Sequence, residues 1–148
     1  VASKFSNDLG FANSKSRLRM MLLYQAAASF SGIVVGTGNK VEDFGVGFFT
    51  KYGDGGVDIS PIADLTKSEV RSLSKELDIP SDILNAPPTD GLWDDDRTDE
   101  QQLGLTYEEL EEAMSNKNSV YREKYLSIRR KNIHKMKTIP VCIIKDKS

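Results

Sequence analysis

Lys67 stands in the string Leu65-Thr66-Lys67-Ser68-Glu69-Val70, where Thr66 caps a predicted helix and Glu69 completes a capping box. The first turn of a helix already presents free N–H groups and the positive end of its dipole. An ammonium there is unfavourable unless an anion lies against it. A phosphate resolves that conflict, and a solvated lysine that tolerates a small cost is the plainer alternative. Glu42 follows Thr37 closely enough to share its loop, with Thr37 supplying a hydroxyl that donates and accepts. Near phosphates such a carboxylate suits Mg²⁺, which keeps waters and takes only a carboxylate or two from protein; a surface carboxylate is the alternative. Lys51 and Asp58 bracket the turn KYGDGG, either as ligand contacts or as an exposed ion pair worth under about 1 kcal/mol. Arg17, in SKSRLRM, carries a guanidinium suited to bidentate phosphate or carboxylate binding.

His134 is the sole histidine and sits among Arg129, Arg130, Lys131, Lys135 and Lys137. That setting offers no carboxylate to orient a general base, so it reads as an anion contact or as the basic end of a helix. The single cysteine, Cys142, excludes an intrachain disulfide and a Cys-based zinc site, in keeping with a reducing, cytoplasmic setting. No nucleophile–base pair emerges, and no catalytic side chain is assigned. Within an acidic cluster of Asp94, Asp95, Asp96, Asp99 and Glu100, Asp94 to Asp96 lack the spacing of a calcium loop and read as a solvated or mobile loop. Trp93 reads as a packing residue in preference to a stacking platform.

These side chains need a scaffold, and the pattern supplies one. Residues 36–58 are dense in glycine, as a loop between core elements or as backbone brought close to a ligand. Just before them, Ile33-Val34-Val35 reads as a buried strand of a parallel sheet. Leu18, Met21, Leu22, Ala26 and Phe30 predict an amphipathic helix over residues 13–30, capped by Asn13 or Ser14. Helix, buried strand and glycine turn is the layout of a doubly wound α/β sheet, with Thr37 at the ligand-facing rim. Asn39 opens a further helix over residues 39–44. Leu65 to Val70 starts another, with Leu73 and Leu77 as its buried stripe and Pro80 as its stop; Thr106 and Glu109 repeat the capping box. Residues 86–103 show no period and read as a loop. A last helix spans residues 119–132 with Tyr121, Tyr125 and Ile128 on one face, followed by an extended tail at Ile139-Pro140-Val141.

At 148 residues and 39% hydrophobic content, the chain fits one domain with a core. A net charge of -2 argues against a main role in neutralising nucleic-acid phosphate. No apolar run approaches the ~20 residues of a membrane helix.

GTGNKVED and FFTKYGDGGVDISPIADLTKSEVR resemble the ammonia-transferring domain of NAD synthetase, an ATP-pyrophosphatase-type amide ligase, and the likeness runs from about Asn13 to about Lys135. The family's SGGxDS phosphate loop lies upstream of this segment and does not occur in the sequence, so residues 1–148 resemble the C-terminal portion of a single domain. The resemblance implies an α/β fold with a Rossmann-like parallel sheet of the adenine nucleotide alpha hydrolase type, here incomplete and helix-rich. It further implies that Thr37, Lys67 and Thr89 contact ATP, and that Arg17, Lys51, Asp58, His134 and Lys135 contact deamido-NAD. Glu42 would hold Mg²⁺ with an aspartate of the SGGxDS loop. The implied reaction adenylates the carboxylate of deamido-NAD, releases pyrophosphate, and lets ammonia, free or drawn from glutamine, displace AMP.

A homodimer, no membrane and no nucleic-acid partner complete the expectation, and the isolated chain should bind substrates weakly without adenylating them. Thr37, Lys51, Asp58 and Lys67 should share one cleft. Two alternatives stand beside it: an ATP-pyrophosphatase-type ligase for another carboxylate, and a nucleic-acid-binding fragment that uses the basic residues 129–137.

Overall fold

The computed structural model describes residues 7–144. Helix caps written into the sequence set several of its boundaries. Thr66, Thr98 and Thr106 each accept from a backbone N–H three residues on, while Glu69, Gln101 and Glu109 reply to the cap's own N–H. These reciprocal pairs open α2 (Lys67–Glu76), α4 (Asp99–Leu103) and α5 (Tyr107–Ser115). The long α1 (Asp8–Ser29) precedes them, α3 (Ser81–Leu84) is a single turn, and α6 (Arg122–Met136) comes last. Residues 86–103 are thus not wholly a loop, because Thr98 and Gln101 form a capping box that turns their end into α4.

The core gathers around a π-helical turn, Lys40–Val46. Asn39 is buried, and its Oδ1 accepts from the N–H groups of Val41 and Glu42, which starts the helix expected there. Val41 and Val46 of the turn pack with Leu103, Leu105, Tyr107, Leu110, Ala113 and Tyr125. A wide helical turn leaves carbonyls in need of donors. One face of α6 supplies them: Arg129 Nη1 donates to the carbonyls of Phe44 and Gly45, Asn132 Nδ2 to Val46, and Lys135 Nζ to Gly47 and Phe49. Gly47 ends the turn at φ 68°, where an added Cβ would lie 2.7 Å from Asn132 Cβ. The last helix bears out its expected face, with Tyr125 buried and Tyr121 and Ile128 against the core, and it runs on to Met136.

Three further expectations are corrected. The first helix begins at Asp8, under an Asn7 cap, and it buries Ala12 and Ser16; Leu18, Met21, Leu22 and Phe30 are exposed. Its inward face is small and polar because a loop, not a hydrophobic layer, lies on it: Ser16 Oγ donates to Asp54 Oδ1 at 2.7 Å, and Thr50 Oγ1 donates to Asn13 Oδ1 at 2.7 Å. Second, Leu73 and Leu77 of α2 are exposed, and the helix buries none of its residues.

Third, Ile33-Val34-Val35 is not a buried strand. Only Val34 is buried, while Ile33 and Val35 are 59% and 53% exposed. Among the described residues the sheet is reduced to one parallel bridge, Val35 to Ile59, with Gly36 N donating to Ile59 O and Asp58 N to Val34 O. The Asp58 carboxylate takes the Val34 N–H at 2.7 Å, so a side chain occupies a donor that a continued ladder would use. Among the described residues no helix is long and apolar enough to cross a membrane.

Candidate functional site

Lys67 and Glu42 meet across the gap between α2 and the π-helical turn. Lys67 Nζ lies 2.9 Å from Glu42 Oε1, and the side chains are 23% and 15% exposed. The meeting is set by backbone: Asn39 turns the chain into the helix that carries Glu42, Lys40 N donates to Leu65 O at 2.8 Å, and Thr66 then caps α2. The anion that a lysine in this first turn calls for is therefore a carboxylate of the protein itself. Beneath the ammonium lies the Tyr107 ring, its centroid 4.7 Å from Nζ.

Tyr107 and Asp99 complete this cluster, and sequence reading missed both. The Tyr107 hydroxyl donates to Glu42 Oε1 at 2.5 Å and lies 3.1 Å from Asp99 Oδ2. Burial, reinforced by the Glu42 and Asp99 carboxylates, pushes the phenol well above its ordinary range. Burial also raises the Asp99 carboxyl, against the pull of the Tyr107 hydrogen bond. Among the described residues Asp99 Oδ1 is buried without a hydrogen-bond partner. The signal available in sequence was the position of Tyr107 as the first residue after a capping threonine, which fixes its direction but not what it touches.

Thr37 lies beyond the bridge on a cavity of about 300 Å³ lined also by Ser16, Arg19, Gly36, Asp54 and Val57. Lys51, Asp58 and Lys67 are not among the residues that line that cavity. Asp58 sits at the bridge, where Oδ1 accepts from Tyr24 Oη at 3.2 Å and Oδ2 from Val34 N. It does not pair with Lys51.

Arg17, Lys51, His134 and Lys135 do come together. Arg17 Nε donates to Lys51 O at 3.2 Å, and Lys51 Nζ donates to the carbonyl of His134 at 3.3 Å. Lys135 Nζ is half-buried over the Phe49 ring and bonded to two carbonyls; burial lowers its pKa. The turn between them is held by Asp54, whose Oδ1 accepts from Thr50 N and Ser16 Oγ. Its glycines answer to protein neighbours: a Cβ at Gly53 would lie 2.2 Å from Ser16 Oγ, and one at Gly55 2.4 Å from the Phe49 ring.

Thr89 is exposed. Its neighbours are tied down: Pro88 O accepts from Asp99 N at 3.0 Å, and the carbonyls of Asp90 and Gly91 accept from Arg19 at 2.8 and 2.7 Å. Asp94, Asp95 and Asp96 are exposed, as expected of a solvated stretch. Trp93 packs beneath the Arg97 guanidinium and lines a second cavity with Leu9, Phe49 and Lys135. Among the described residues no group of three or more His, Cys, Asp or Glu side chains is placed to hold a metal ion. Glu42 offers a single carboxylate, which fits Mg²⁺ only as one ligand beside phosphate oxygens and water.

The structure thus holds a partly buried Lys–Glu pair, a glycine turn beyond a parallel bridge, and basic side chains gathered from α1, α6 and that turn. The family model described as NAD synthase matches residues 2–145, and the chain belongs to that family. The NH(3)-dependent NAD(+) synthetase of Methanococcoides burtonii is 53% identical over 102 residues, which cover 69% of this chain and 38% of that protein. Its namesake in Sulfolobus acidocaldarius is 46% identical over 114 residues, covering 77% and 40%. Among solved structures, NMN synthetase from Francisella tularensis matches 97% of this chain and 60% of its own, at a TM-score of 0.86 and 35% identity. The NH3-dependent NAD synthetase from Campylobacter jejuni, in complex with the nitrate ion, matches 88% and 54% at a TM-score of 0.61 and 26% identity. The chain thus spans well under half the length of these two curated relatives.

Proposed function

We propose that the protein to which this chain belongs is a ligase that converts deamido-NAD to NAD with ATP and ammonia. Membership of the NAD synthase family and the names of the relatives support the reaction class. The observation that carries it onto this chain is the Lys67–Glu42 pair, one cation and one carboxylate held at a helix N-terminus, ready to separate onto a nucleotide phosphate and its counter-cation. Lys67 neutralises phosphate charge, and the Thr37 hydroxyl donates at the rim of the bridge. Thr89 contacts the nucleotide from the tied segment that follows Pro88. Glu42 holds Mg²⁺, which when bound offsets charge on the polyphosphate. Arg17, Lys51, Asp58, His134 and Lys135 contact deamido-NAD.

The carboxylate of deamido-NAD attacks the α-phosphate of ATP, pyrophosphate leaves, and ammonia displaces AMP from the acyl adenylate. Catalysis of this kind asks for alignment and charge neutralisation, and no side-chain nucleophile is required. Free ammonia is the nitrogen source that the relatives' names favour. The protein works in the cytoplasm as a homodimer, a state to be checked by sedimentation over a range of concentrations.

A second reading has one specific support, the likeness to NMN synthetase at a TM-score of 0.86: the amidated product is NMN. The intact protein, given ATP, Mg²⁺ and an ammonium salt, should form AMP in step with NAD from deamido-NAD. A preference for the mononucleotide acid would select the second reading. Absence of AMP with either acceptor would remove both.

A further inference from the structure

The proposed Mg²⁺ ligand Glu42 and the proposed ATP contacts Lys67 and Thr89 lie on three separate segments, and one side chain sits among the ties that join them. Tyr107 is 1% exposed. Its hydroxyl donates to Glu42 Oε1 at 2.5 Å, its ring lies under Lys67 Nζ at 4.7 Å, and its hydroxyl also meets Asp99 Oδ2 at 3.1 Å. Asp99 N in turn donates to the carbonyl of Pro88, the residue before Thr89. The tyrosine is itself fixed at the start of α5, where its N–H donates to Glu100 Oε1 at 2.9 Å. A phenol hydroxyl has one proton to give; the shorter contact directs it to Glu42, so the contact with Asp99 Oδ2 is made by the proton of a neutral Asp99 carboxyl, whose pKa burial raises. Asp99, 8% exposed with Oδ1 unpartnered among the described residues, spends a buried carboxyl on this one contact. A buried acceptor left half satisfied is costly, so packing alone does not account for an aspartate there.

We propose that Tyr107 is a positioning residue for nucleotide binding: held by Asp99, it fixes the carboxylate of Glu42 and the ammonium of Lys67 in one arrangement. The inference rests on the ligase reading for what Glu42 and Lys67 bind, but the arrangement itself does not. Groups that orient a ligand of a metal ion without touching the ion commonly matter almost as much as the ligand.

The test uses the intact protein with Tyr107→Phe, which keeps the buried ring and removes only the hydroxyl, and Asp99→Leu, which removes the polar contact at similar volume, as a second variant. Competitive acylation reads the accessibility of Lys67 against Lys75 on the same helix, with no nucleotide present. Nucleotide binding is titrated with Mg²⁺ at fixed ATP. Both variants should melt cooperatively, label Lys67 severalfold faster relative to Lys75, and need about 10-fold more Mg²⁺ for half-maximal ATP binding. Variants that label as wild type and keep its Mg²⁺ midpoint would overturn the proposal, whatever their melting temperature. Wild-type protein that binds no Mg²⁺-dependent ATP would instead remove the ligase reading, with Lys67 labelling alone still deciding the role of Tyr107.

Discussion

Lys67 Nζ and Glu42 Oε1 stand 2.9 Å apart, and neither side chain is more than a quarter exposed. A pair this far from water is costly to break from one side, because the remaining charge keeps its desolvation penalty without its partner. Lys67→Met should therefore cost about 1–2 kcal/mol of stability, because the pair is only partly buried and Tyr107 stays bonded to the abandoned carboxylate. Glu42→Gln added to Lys67→Met should restore part of that loss. Urea midpoints of the four proteins decide it: strictly additive losses would mean that the pair has no coupling.

Gly47 closes the π-helical turn with φ 68°, and Asn132 of α6 crosses directly over its Cα. An alanine there would enter the left-handed region, at about 1 kcal/mol, and would press on the Asn132 side chain that feeds the Val46 carbonyl. Gly47→Ala should thus destabilise by more than the backbone term alone. Gly91→Ala is the control, since that glycine also has positive φ, at 60°, but its nearest neighbour is an arginine terminus 3.7 Å away. Equal losses in the two variants would show that the crossing of α6 carries no weight.

What could be read from sequence was local, and what escaped it was the choice of face. Thr66 with Glu69 and Thr106 with Glu109 announce α2 and α5 because cap and reply lie within one turn. The Tyr121, Tyr125 and Ile128 face of α6 follows for the same reason, being a matter of helical period. The apolar residues of α1 obey that period too, yet the helix turns Ala12 and Ser16 inward, because the loop at Thr50 to Asp54 is joined to it by hydrogen bonds. In the site, string likeness named Lys67 and Glu42 as separate ligand contacts and gave no hint that they pair. Tyr107 and Asp99 escaped altogether, since a tyrosine on a helix face declares burial but not a partner 65 residues away.

Ser16 and Asp54 exchange hydrogen bonds in both directions: Ser16 Oγ donates to Asp54 Oδ1, and Asp54 N donates to Ser16 Oγ at 3.0 Å. Ser16→Ala removes both: the Asp54 N–H loses its partner at the neck of the glycine turn, while Asp54 Oδ1 keeps only the Thr50 N–H. A loss of about 1–2 kcal/mol is expected. It should be local. Amide hydrogen exchange should quicken at residues 50–56 while the core amides of α5 keep their protection, and a uniform rise across both would mean that the turn is not a separate unit.

Asp43 carries a pH dependence of known sign. Its carboxyl is pushed up to about 7 from an ordinary 3.8, first by burial and then by the Glu42 and Asp54 carboxylates. The folded chain therefore holds this proton more tightly than the unfolded chain does. Stability from that source is fully present below the ordinary value and is lost as pH rises through about 7. Asp43→Asn keeps the shape of the side chain packed over Gly38 and removes the titration. The difference in melting temperature between variant and wild type should accordingly widen in the variant's favour from about pH 5 to about pH 8, then level off. A difference that stays flat across that range would mean that Asp43 is charged in the folded protein throughout.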